Sequence, residues 1–102
     1  MPSFMVLTSS ERTKLLAELE DANPQALLAD GFESAFIGVM YRYGSPPLAA
    51  YSFEACIMVL MERDGMDDGM TYEAAVEYFE FNVLGAGMGA NTPVFIRTEP
   101  IR

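Results

Sequence analysis

Leu15, Leu16 and Leu19 recur at helical spacing behind Thr8, and Thr8 with Glu11 three residues on has the form of a capping box. The chain therefore opens on a predicted helix over residues 9–22. Asn23 followed by Pro24 reads as a second N-cap with proline at the first helical position, and Gly31 closes a short apolar turn over 26–29. From Ala35 the period changes. Phe36, Ile37, Val39, Tyr41 and Tyr43 are β-branched or aromatic, Gly44, Ser45, Pro46 and Pro47 are turn residues, and apolar positions resume over 48–51. This is the signature of a β-hairpin.

Ser52 is placed to cap a helix over 53–64 that ends at Gly65. Set out at about 100° per residue, that helix leaves only Glu54, Glu62 and Arg63 to face water, which predicts an almost wholly enclosed element. Thr71 caps the next helix, 72–84. There Tyr72, Ala75, Val76, Phe79 and Val83 form one apolar stripe and Glu73, Glu77 and Glu80 an acidic one. Ala74, Tyr78 and Phe81 form a second apolar face, expected under the hairpin or at an interface. Gly85, Gly87 and Gly89 lead out of the helix, and 92–98 reads as a strand with Pro93 near its start.

Together these elements predict one α+β domain: an N-terminal helical portion, and a small antiparallel sheet of hairpin plus C-terminal strand covered by two packed helices. A length of 102 residues suits a single domain. The hydrophobic share of 51% against 21% charged excludes a disordered chain. The uncharged run 44–53, with its two prolines, is far short of the roughly 18 apolar residues that span a bilayer. The first residues carry no basic leader with an apolar stretch, and Cys56 is the lone cysteine, so a cytoplasmic protein is expected.

Charge narrows the partners. The net charge is −9, and Asp64, Asp67, Asp68, Glu73, Glu77 and Glu80 follow one another with no lysine or arginine before Arg97. Direct nucleic-acid binding, which rests on basic residues neutralising phosphates, is disfavoured. A basic protein surface would be attracted, while the plain alternative is a solvated, solubilising face.

Candidate chemistry is sparse. The segment 64–69, DGMDDG, fails as a calcium loop: with Gly69 at the sixth position, Met66 and Ala75 stand where ligands are needed. With no histidine either, no metal and no cofactor are expected. The run 85–91, GAGMGAN, follows a helix and precedes a strand, the reverse of the dinucleotide-binding order, and reads as a helix exit. Cys56 lies among Ala55, Ile57 and Leu60 with no base to activate it. Glu54, Glu73, Glu77 and Glu80 have no apolar pocket implied around them to raise their pKa values, so no enzymatic activity is expected. Arg42 and Asn82 are the polar residues with the best claim to a ligand.

Several of these stretches together resemble a family of small, mostly uncharacterised proteins encoded by tailed bacteriophages. The carrying residues are Gly31-Phe32 with Ala35 to Gly38, Cys56-Ile57, Arg63 to Met66, Glu77 to Asn82 (EYFEFN), Gly85-Ala86 with Gly89, and Thr92-Pro93 with Phe95. The likeness covers roughly residues 31–96. The chain departs from the pattern at 67–70, which looks like a duplication of the neighbouring DGM, and at Gly87 and Met88, where an aromatic is expected. The resemblance implies phage origin and a host-cytoplasmic location, and no reaction type.

The leading expectation is a non-catalytic phage accessory protein that binds and inhibits a host or anti-phage defence protein. Glu73, Glu77, Glu80, Tyr78 and Phe81 would meet a basic partner surface, and the chain is also expected to form a homodimer. The alternative is a small-ligand protein that sequesters a nucleotide signal at Arg42, Asn82, Gly87 and Gly89. A structural or assembly role is the third.

Overall fold

The computed structural model describes residues 7–63, 70–86 and 89–98. The first helix, α1, spans Ser9–Ala22. Its capping box is formed on both sides: Thr8 Oγ1 accepts the Glu11 amide at 3.1 Å, and the Thr8 amide donates to the Glu11 carboxylate at 2.9 Å.

The expected helical turn over 26–29 does not form. Asn23 ends α1, its amide donating to the Leu19 carbonyl at 2.7 Å. Its side chain, buried in the structure, donates to the Pro47 carbonyl at 2.9 Å and to Asn91 Oδ1 at 3.1 Å. The amides that a helical turn would need point elsewhere: Leu27 donates to the Asn91 carbonyl at 3.0 Å and Ala29 to the Tyr51 hydroxyl at 2.8 Å. The local cap itself is made, Asn23 Oδ1 accepting the Gln25 amide at 3.2 Å and the Asn23 carbonyl the Ala26 amide at 3.0 Å, but distant partners take the later amides and no helix follows it.

A single 3-10 turn, Glu33–Ala35, leads into β1, Phe36–Arg42, and β2, Ser45–Ser52, follows it antiparallel. The reversal is tighter than the expected 44–47: it falls at Tyr43 and Gly44, the latter at φ 79°, and both prolines lie inside β2. They are tolerated because β3 pairs only with Ala50, Tyr51 and Ser52, and because the β1–β2 register is irregular between the Met40–Leu48 and Arg42–Ser45 pairs.

After β2 come α2, Phe53–Arg63, and α3, Tyr72–Asn82, and the chain returns as β3, Val94–Ile96. The Ser52 hydroxyl accepts the Ala55 amide at 3.1 Å and that of Thr71 the Ala74 amide at 3.1 Å, so both caps read from the sequence are formed. The end of α2 expected at Gly65 lies outside the described residues. α3 stops two residues short of expectation, with Val83 as its cap and a 3-10 turn at Leu84–Ala86.

The fold is α+β, but the sheet is mixed rather than antiparallel. In the order β1-β2-β3, β3 runs parallel to β2 with Ala50, Tyr51 and Ser52 opposite Val94, Phe95 and Ile96. The cause is the connection: two helices between β2 and β3 carry the chain back to the end where β2 began. One contiguous core holds Leu19 of α1, Phe36 of β1, Ala49 and Tyr51 of β2, Cys56, Ile57 and Leu60 of α2, and Ala75 and Phe79 of α3. α1 is thus part of the main packing, and Tyr41 Oη of β1 donates to the Glu18 carboxylate on it.

α2 is less enclosed than expected. Met58 is exposed and Ala55, Val59 and Met61 are only half-buried. Phe53, Cys56, Ile57 and Leu60 are buried, Ala55, Val59 and Met61 pack against the edge of the core, and Met58 lies at the surface, as a large part of the apolar area of any protein does.

Candidate functional site

α3 turns Ala75 and Phe79 into the core and leaves Glu73, Ala74, Glu77, Tyr78, Glu80 and Phe81 exposed. At about 100° per residue the exposed side chains fall in two adjoining strips: the three carboxylates first, then Phe81, Ala74 and Tyr78. Phe81 keeps 75% of its surface exposed and Tyr78 40%, so the hairpin does not cover the second apolar face. Leu84, in the 3-10 turn that follows the helix, is also exposed.

Among the described residues the ion pair is Arg97 Nε with Glu54 at 3.8 Å, and none of Glu73, Glu77 or Glu80 takes part. Arg97 is further engaged with the Phe53 ring, 5.3 Å from its centroid. Tyr72 Oη donates to Glu54 at 3.0 Å, which holds the phenol proton and raises the tyrosine pKa. Arg97, the first basic residue after α3 in the sequence, is thus engaged beside the first turn of that helix.

The residues of the expected ligand site are not gathered. Arg42 lies exposed at the hairpin tip, Nη2 donating to Ser45 Oγ at 3.3 Å. Asn82 is exposed, donates to the Tyr78 carbonyl at 3.1 Å, and lines a cavity of about 310 Å³ with Leu28, Phe32, Val83, Pro93 and Phe95. Arg42 is absent from that cavity. Gly89, at φ 93°, has its carbonyl occupied by the Thr92 amide at 3.2 Å. Gly87 and the acidic segment 64–69 lie outside the described residues.

Cys56 is fully buried, and burial pushes its thiol up to about 12. The native protein should therefore ignore a thiol-titrating reagent at neutral pH and react once denatured. The unfolded thiol titrates near 8.5, so the folded state alone keeps its proton above that value. This contribution to stability is complete below about pH 8.5 and is lost as the pH rises toward 12. Urea melts across that window, compared with Cys56→Ala, measure it.

A second cavity, of about 320 Å³, was not foreseen from the sequence: Arg12 and Leu16 of α1 face Asp30, Glu33, Phe36 and Tyr51 there. The available signal was Arg12, which stands four residues before Leu16 and so shares its helical face. No protein-family model, curated protein or solved structure matches the chain.

Proposed function

We propose that the chain is a non-catalytic phage accessory protein that docks the outward face of α3 onto a basic surface of a host or anti-phage defence protein, acting in the host cytoplasm as an inhibitor. The observation that carries the reading is Phe81, 75% exposed, with Tyr78 beside it and along its other flank a row of carboxylates that form no ion pair among the described residues. Aromatic anchors supply most of the energy of protein interfaces, while a charged border sets approach rate and partner choice. The resemblance to phage proteins supplies the setting.

A second copy of the chain, the homodimer expected from the sequence, suits this face less well. Pairing α3 with itself brings two acidic rows together, whereas a basic partner relieves their repulsion. The nucleotide-signal reading has no cation in the cavity that Asn82 lines, because Arg42 sits at the hairpin tip.

Changing Glu73, Glu77 and Glu80 together to glutamine tests the charge half of the proposal. Each carboxylate is expected to contribute about 0.5–1 kcal/mol to association at low salt. The triple variant should associate more slowly with its partner and with a flatter salt dependence, at unchanged or slightly higher stability. Unchanged rates at every salt concentration would reduce the acidic row to solvated surface.

A further inference from the structure

We propose that the cavity between α1 and the 28–36 segment binds a small zwitterion of the α-amino-acid class carrying an apolar side chain. This site is separate from the face of α3, and either can fail without the other.

Four polar residues from different parts of the chain line the cavity. Arg12 reaches it from α1, its Nε buried beneath the surface with no hydrogen-bond partner among the described residues. Asp30 and Glu33 line the same cavity, yet neither lies within ion-pair distance of Arg12. Glu33 is held in place by the Gly31 amide, which donates to Oε2 at 3.1 Å and keeps the carboxyl below its ordinary pKa. Tyr51 Oη accepts the Ala29 amide at 2.8 Å, which leaves its own hydrogen to donate.

The cavity therefore offers a cation and a phenolic donor together with two carboxylates, all set against the apolar surfaces of Leu16 and Phe36. A simple anion would meet the carboxylates, and a simple cation would meet Arg12. A zwitterion satisfies both: its carboxylate accepts from Arg12 and Tyr51, its ammonium donates to Asp30 and Glu33, and its side chain covers the apolar wall. The volume of about 320 Å³ lies at the low end for small-molecule sites, which suits one amino acid and is tight for a nucleotide.

Isotope-labelled full-length protein should be titrated with L-phenylalanine, N-acetyl-L-phenylalanine and L-phenylalaninamide while amide shifts are followed by NMR. L-Phenylalanine is expected to give saturable shifts at Ala29, Asp30 and Glu33, and each blocked form to bind at least about tenfold more weakly. Arg12→Gln should abolish the preference for the free acid over the amide. Glu33→Gln should reduce the preference for the free amine over the N-acetyl form. Because the readout is discrimination within one folded variant, a general loss of stability does not mimic it. The proposal is overturned if no saturable shifts appear at millimolar ligand, if the three probes bind alike, or if both variants keep the wild-type preferences.

Discussion

Phe79→Ala is expected to remove about 3–5 kcal/mol of stability, enough to unfold much of the population of a domain whose total lies in the usual range of about 5–15 kcal/mol. Phe79 has no exposed surface and is the point where four separated parts of the chain meet. Its ring stands edge-on to Phe32 at 5.9 Å, Phe53 at 5.3 Å and Phe95 at 5.0 Å, which join the segment before β1, the start of α2 and the strand β3 to α3. Removing it opens a cavity and deletes all three aromatic contacts, each worth roughly 0.5–1.5 kcal/mol beyond area burial. Phe79→Leu, which keeps most of the volume, should lose distinctly less. Urea unfolding of the two variants beside the wild type measures the difference.

Two residues further along the helix the same residue type has the opposite consequence. Phe81→Ala and Tyr78→Ala should leave stability within about 0.5 kcal/mol, since neither side chain belongs to the core. Each is expected to cost about 2 kcal/mol or more in partner affinity, a factor of about 30, because a truncated aromatic anchor loses its buried contact and leaves the partner's pocket unfilled. A melt and a binding curve on the same samples separate the two roles of α3.

How much of this was legible depends on whether local or distant partners decide an element. α1 has the bounds read from Thr8, Glu11 and the leucine spacing, because every group that starts it lies within one turn. The caps at Ser52 and Thr71 were readable for the same reason. Asn23 misled because it does cap the Gln25 amide, yet the amides of Leu27 and Ala29 that would continue a helix donate to Asn91 and Tyr51 far along the chain, which no local pattern reveals. The direction of β3 was equally hidden, since its three residues carry no mark of parallel pairing and only the helical return of the chain sets it. The prolines of β2 marked a turn that Gly44 in fact makes.

The outward strips of α3 could be listed residue by residue from helical spacing, because one helix contains them all. What spacing left open was whether the hairpin covers Tyr78 and Phe81, a question of tertiary packing. The Arg12 cavity was out of reach for the same reason, being assembled from α1, the 28–35 segment, β1 and β2. Arg42 and Asn82 looked like a pair only because both are polar among apolar neighbours.

The most direct test of the docking face is amide hydrogen exchange on the protein alone and on the complex captured from host lysate at raised salt. Slowed exchange should be concentrated in α3 and the Leu84–Ala86 turn, and Phe81→Asp should capture no partner while remaining folded. Protection confined to the hairpin tip or α1, or a Phe81→Asp variant that captures the same partner as strongly as the wild type, would contradict it.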